Sequence, residues 1–269
     1  MADNEYEDLD KLLERAAAMD LESEERWEII RKIQRRADRP AFDAACAFAH
    51  SDSWAKRVLG LDVLGQIGYK QNRPFAEETL PILIQACEDD HPYVLGSAIT
   101  ALGHVRDPRG LAAVLRHSSH PSEDVRFNVA AALPSVCDDP PFAEAVTALI
   151  SLSADPDPEI RDWATFGLGS QINTDTTSIR DALAARLTDP EEDTAGEALL
   201  GLALRHDPRT LPALLAMLAD NPGNLIVEAA GELGSPEALP TLQRLKAEGW
   251  QDDDPRPSVL DDAIAACSR

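Results

Sequence analysis

Residues 155–172 read DPDPEIRDWATFGLGSQI, and the order of residue types in this stretch decides the fold. Asp157 can cap free amide groups at a helix start, and Pro158 suits the first helical position, where no amide is needed. Ile160, Ala164 and Leu168 follow at intervals of four, which lays them along one apolar stripe of a helix. The same order returns in DPEEDTAGEALLGLA (189–203), HPSEDVRFNVAAALP (120–134) and DDHPYVLGSAITALG (89–103). It returns more loosely in NPGNLIVEAAGELG (221–234) and SDSWAKRVLGLDVLG (51–65). The leucines of these copies, Leu64, Leu102, Leu133, Leu168, Leu202 and Leu233, recur every 31 to 38 residues, the length of a helical hairpin.

Ahead of the copies lies a second apolar helix pattern, as in TLPILIQACEDD (79–90), LAAVLRH (111–117), AVTALISLSAD (145–155) and LPALLAMLAD (211–220). Each unit therefore reads helix A, turn, helix B, with Asp107-Pro108, Asp189-Pro190 and Asp207-Pro208 as further capped turns. One such hairpin cannot bury its own apolar face, so the units must stack on a continuous core. The expectation is an all-α solenoid forming a single domain over residues 1–269. Residues 1–38 make N-terminal capping helices, with Leu9, Leu12, Leu13, Trp27, Ile30 and Ile33 on the inner side, and about six repeats fill 39–245. An acidic loop and a capping helix, SVLDDAIAAC, close the chain over 246–269, with Ser258 and Asp261 at capping-box-like spacing.

The repeated turn, the Val/Ile-Arg step, the small residue and the Ala/Gly-Leu pair, with recurrent Asp-Pro-Arg and Leu-Pro in the A helices, resemble HEAT repeats of the phycobilisome-lyase type over roughly residues 39–245. The resemblance implies a right-handed superhelix of antiparallel helix pairs. Proteins with such repeats include scaffolds, chromophore lyases, a hydroxylase and DNA glycosylases, so the fold alone names no activity. The hydroxylase relatives hold iron through His-Glu dipeptides, whereas the six histidines here precede Ser51, Pro92, Val105, Ser118, Pro121 and Asp207. The glycosylase relatives use a basic channel.

Charge argues against such a channel. The 48 acidic and 25 basic residues give a formal net charge of -23, which repels a phosphate backbone and attracts basic surfaces. Nucleic acid is thus an unsuitable partner. Cys46, Cys87, Cys137 and Cys267 form no Cys-x-x-Cys pair and read as small buried hydrophobes of a reducing compartment. The opening MADNEYEDLD is acidic, unlike a signal peptide, and no apolar run approaches a membrane span. A cytoplasmic, monomeric protein that binds no membrane is expected.

The sequence offers no catalytic constellation and calls for no cofactor. It has no phosphate-binding glycine loop, no zinc-protease motif and no nucleophile elbow. His117 and His120 have no third ligand nearby and fall in a turn. The paired acids Asp89-Asp90, Asp138-Asp139 and Asp261-Asp262 diverge from adjacent positions. Arg57, Arg126 and Arg161 suit pairing with turn aspartates of their own or a neighbouring unit, and Trp250 suits pinning its loop to the core.

What remains is the other stripe of the B helices. In the opening stretch it carries Trp163, Phe166 and Ser170, in a chain with only 5% aromatic residues. Equivalent places hold Asp62 and Gln66, Thr100 and His104, Asn128, Glu197 and Glu228. In solenoids of this kind the B helices line the concave surface, where an aromatic pair among small and polar neighbours has the makings of a binding hot spot. The alternative is that Trp163 packs between repeats. The reading adopted is a non-catalytic interaction module that grips a protein or peptide with basic character through Trp163, Phe166, Asp62, Gln66, Thr100, His104, Asn128, Glu197 and Glu228. Adaptor, carrier and neutraliser of a toxic partner are all compatible sub-roles. A lyase-like subunit holding a flat small molecule between the two rings is the other class.

Overall fold

The turns Asp107-Pro108 and Asp157-Pro158 start helices as their chemistry predicts, whereas after Asp189-Pro190 and Asp207-Pro208 the α-helix begins two residues past the proline, at Glu192 and Thr210. Asp157 accepts from the amides of Glu159 and Ile160 at 3.0 and 3.2 Å, and Asp38 accepts from Ala41 at 2.9 Å. Asp107, Asp189 and Asp207 accept from the amide two residues on. The computed structural model describes residues 8–138, 141–220, 222–250 and 258–269, and among them every regular element is helical. The acidic stretch 251–257, Asp139 and residues 1–7 lie outside the described residues.

Two helices, α1 (Leu9–Ala17) and α2 (Glu24–Arg36), pack on the first B helix. Seven A/B pairs follow among the described residues: α3 (Arg39–Ala49) with α4 (Trp54–Gln66), α5 (Ala76–Ala86) with α6 (Pro92–Val105), and α7 (Leu111–Leu115) with α8 (Glu123–Val136). After these come α9 (Ala143–Leu152) with α10 (Pro158–Phe166), α11 (Thr177–Arg186) with α12 (Glu192–Leu204), α13 (Thr210–Asp220) with α14 (Asn224–Leu233), and α15 (Leu239–Glu248) with α16 (Val259–Cys267). A π-helical turn, Gly167–Gln171, continues α10.

Six repeats therefore become seven pairs. The closing helix α16 packs on both α14 and α15 as a B helix does, and its start is not a capping box. Ser258 bonds the carboxylate of Asp262 at 2.9 Å, while Asp261 pairs with Lys246. The seventh pair escapes the leucine spacing because Cys267, 2% exposed, stands on α16 where the repeat leucine would fall.

The chain divides after residue 138 into two units. In each, the Ile160–Ala164–Leu168 type of stripe faces the A helices. These three residues are at most 1% exposed, and Leu64, Leu102, Leu133 and Leu202 are equally buried. B helices pack directly on B helices (α4 on α6 on α8, and α10 on α12 on α14 on α16), whereas A helices touch one another lightly. The B layer is therefore the tighter side of each unit.

Residues with little or no side chain make this tightness possible. A Cβ placed on Gly65 would stand 2.8 Å from the Ala101 Cβ, and one on Gly103 would stand 3.0 Å from that of Ala132. A Cβ on Gly201 would come within 2.5 Å of the Gly169 Cα. These contacts join the residue after the repeat leucine of one B helix to the residue before it on the next. Backbone cannot step aside as a flexible side chain can, so added volume here strains the stack. Gly201→Ala is expected to destabilise the protein by about 1–3 kcal/mol. Gly223→Ser, at a helix start with nothing within 4 Å of the added carbon, should leave stability unchanged in the same denaturant titration. Equal effects would contradict this packing.

Candidate functional site

The arginines at the B-helix starts serve the architecture. Arg161 donates to the carbonyls of Asp155 and Pro156, both at 3.1 Å, and grips Asp189 of the next turn through two bonds of 3.0 Å. Arg57 does the same with Ser51, Asp52 and Asp89. Arg126 holds His120 and Pro121 at 2.9 and 3.3 Å. One residue type thus satisfies two turn carbonyls and ties successive turns together.

The candidate wall residues fall into two groups, one in each unit. In the first unit the assignment of Asp62 is corrected. Its side chain is only 11% exposed and accepts a 2.7 Å bond from Arg26, itself 1% exposed on the capping helix α2. Burial raises its pKa despite the arginine. A buried guanidinium needs this counter-charge, and Asp62 is committed to it.

The other four bridge B helices. Gln66 Nε2 lies 3.1 Å from His104 Nδ1, and Thr100 donates to Asn128 at 2.8 Å. Asn128 in turn donates to the Asp124 carbonyl at 2.7 Å. Burial, then Arg73 and Arg106, push the His104 pKa down, which favours a neutral hydrogen-bonding ring. These side chains form a polar ladder on the wall.

In the second unit the stripe opens. Trp163 is 38% exposed, and its ring meets half-buried Phe166 edge to face, with centroids 6.0 Å apart and planes at 74°. Pure packing between repeats would bury the indole. Instead it lines a groove of about 550 Å³ between the starts of α10 and α12, with Glu159, Asp162, Glu191, Glu192 and Asp193 around it. Beyond it, between α12 and α14, a cleft of about 710 Å³ has Leu187, Met217, Leu225 and Ile226 among its apolar residues and Asp162, Asp193 and Glu197 among its carboxylates. A third, between α14 and α16, contains Glu228, Glu232 and Asp262. None of the three is lined by a lysine, arginine or histidine among the described residues.

Sequence reasoning identified Trp163, Phe166, Glu197 and Glu228 as one stripe, and the structure places all four on the B helices of this unit. It missed Asp162 and the glutamates at the helix starts. It also missed Arg205. This buried guanidinium donates to the carbonyls of Leu168, Gly169, Gly201, Ile172 and Thr174 at 2.7 to 3.2 Å. Arg205 thereby closes the end of the helix that presents Trp163, where unpaired carbonyls and the helix dipole favour a cation.

The remaining chemistry-bearing residues have structural partners. His117 bonds the Cys87 carbonyl at 2.9 Å, and His120 accepts from Ser122 at 3.1 Å. Trp250 donates to the Pro222 carbonyl at 2.8 Å and packs on the core. Burial pushes the thiols of Cys46 and Cys137 up to about 11 and that of Cys87 to about 12, far from a thiolate nucleophile. Cys87 and Cys267 are buried as expected, while Cys46 and Cys137 are partly exposed. Among the described residues no three His, Cys, Asp or Glu side chains form a metal-binding group, and no helix is long and apolar enough to cross a membrane.

Glu197 is strongly perturbed. Burial, then repulsion from Asp162, Glu228 and Asp193, push it up to about 7 against a 3.3 Å bond from Ser170. Because the folded protein holds this proton more tightly than the unfolded chain, stability should fall as pH rises from the ordinary carboxylate value of 4.5 through about 7. Glu197→Gln is therefore expected to raise the melting temperature at pH 8 and to have little effect at pH 4. A gain of equal size at both would contradict the assignment.

Comparison with known proteins agrees with this architecture. The family profile for HEAT repeats matches residues 80–169 and 146–230. Protein YibA of Escherichia coli (strain K12) is 32% identical over 223 residues, 80% of this chain and 77% of YibA. The X-ray structure of E. coli YibA covers all of both chains with a TM-score of 0.69 and 25% identity. The CpcE–CpcF complex of phycocyanin lyase from Nostoc sp. PCC7120 matches 61% of this chain and 99% of its own at 21% identity, with a TM-score of 0.47. That likeness is too remote to bear on activity. With its stacked A/B pairs, its repeat profile and its relation to YibA, the chain belongs to the HEAT-repeat family.

Proposed function

We propose that this protein is a non-catalytic interaction module that holds a protein or peptide of basic character against the B-helix wall of its second unit. The observation that carries the reading is Trp163, a partly exposed indole in a groove whose ionisable lining is entirely acidic. An indole face and nearby carboxylates attract the same group, a lysine or arginine side chain. The net charge of -23 extends that attraction over distance and disfavours a polyanion. The four free thiols suit a reducing compartment such as the cytoplasm. The flat-ligand alternative is set aside because Trp163 and Phe166 stand at 74° to each other, which leaves no parallel-walled slot between them.

Two measurements on the whole chain test this. With a lysine- and arginine-rich peptide as probe, Trp163→Ala should weaken binding by about 2 kcal/mol while the melting temperature stays nearly unchanged. Leu168→Ala, in the core, should cost about 2–5 kcal/mol of stability and serves as the control. If Trp163→Ala melts the protein as severely as Leu168→Ala, the indole is packing and the reading fails. The association rate should also drop between low and physiological salt, where the Debye length falls to about 8 Å. A salt-independent rate would remove electrostatic steering.

A further inference from the structure

The first unit carries a surface of the opposite sign. Three stretches without an acidic residue, 29–37, 63–76 and 91–106, interrupt a chain that has 48 of them, and the fold brings them together where α2, α4 and α6 end. The Gly68 amide donates to the Gln34 carbonyl at 3.1 Å and the Gln71 side chain to the Arg35 carbonyl at 3.3 Å, which seats the loop after α4 on the end of α2. Arg73 of that loop donates to the Gly65 carbonyl at 2.9 Å and to the His104 carbonyl, and so ties the ends of α4 and α6 together.

Most lysines and arginines of the described residues pair with a carboxylate. Lys32, Arg35, Lys70, Arg73 and Arg106 have no such partner among the described residues. The acids that border them are committed elsewhere: Asp38 to Arg36, Glu78 to Arg39, and Glu77 and Asp107 to Arg109. Helix C-termini attract cations in their own right, and Arg73 meets that demand with its two carbonyl bonds. The other four are exposed and donate no side-chain hydrogen bond among the described residues. Among them stands Tyr69, 65% exposed, with the Arg73 guanidinium 5.1 Å from the centre of its ring.

Charge complementarity selects an anionic partner, and the limits of the patch select its kind. The bordering acids and the net charge of -23 repel whatever extends beyond the patch, which disfavours a long nucleic acid or an anionic membrane. A short acidic segment meets the cations alone. Tyrosine and arginine are also the residue types that anchor protein partners, the phenol offering both a ring face and a hydroxyl donor. We propose that this edge of the first unit is a second docking surface, which takes an acidic segment of a partner protein whose carboxylates meet Lys32, Arg35, Lys70 and Arg106 around the Tyr69 ring. It is independent of the acidic wall of the second unit.

The test uses the whole chain and a labelled peptide of alternating glutamate and serine. Fluorescence anisotropy is read at physiological salt, where a Debye length of about 8 Å screens the ligand from the acids of the rest of the chain. The double variant Arg35→Glu, Lys70→Glu should weaken binding by at least about tenfold, because the reversed charges repel the same carboxylates. Its melting temperature should stay unchanged, since neither side chain holds a structural partner. Arg244→Glu with Arg269→Glu makes the same change of net charge in the second unit and should leave binding intact. No binding of the peptide, or equal losses in the two double variants, would overturn the proposal. Tighter binding of a single-stranded DNA oligonucleotide or of phosphatidylserine vesicles than of the peptide would also overturn it.

Discussion

The close approach of successive B helices is the constraint on which the rest depends. Where Gly169 faces Gly201, Gly65 faces Ala101 and Gly103 faces Ala132, backbones meet with almost no side chain between them. The A helices touch one another only lightly. This difference puts equivalent residues of neighbouring B helices within reach of one another, as the Thr100–Asn128 and Ser170–Glu197 bonds demonstrate. It also turns the wall into a regularly spaced surface.

The same spacing concentrates charge. Asp162, Asp193, Glu197 and Glu228 come from three helices, and their mutual repulsion, added to burial, raises Glu197 well above the ordinary carboxylate range. Elsewhere acids are neutralised locally, as Asp62 is by Arg26 and Asp207 by Arg209, and Asp189 of the middle cleft is itself paired with Arg161. The two units thus treat the wall differently. The first unit closes it with a buried ion pair and a polar ladder, while the second leaves acidic clefts beside an indole.

Much of this was legible in the sequence. The repeat showed because each B helix combines within a few residues a turn before its start, an apolar stripe toward helix A and a small residue toward its neighbour. The arginine ladder showed for a similar reason, since its turn carbonyls lie five and six residues away. Arg26 and Arg205 did not show. Asp62 and Gly169 each lie 36 residues from the arginine they meet, and nothing in a local pattern separates a buried arginine from a solvated one. The clefts were invisible for the same reason. Glu192 and Asp193 look like ordinary first-turn acids until α10 and α14 are placed on either side of them. Trp163 and Phe166 could be assigned to a stripe by spacing, but the exposure of the indole required the neighbouring helix.

The central claim is that a basic polypeptide is held against the B-helix wall of the second unit. Backbone amide NMR of the intact chain, titrated with a lysine-rich peptide at low salt, tests it most directly. The account predicts that perturbed signals concentrate on α10, α12 and α14 around Trp163, Glu197 and Glu228, with α3 and α5 unchanged. Perturbations centred on the A helices, or spread evenly over both units, would contradict it.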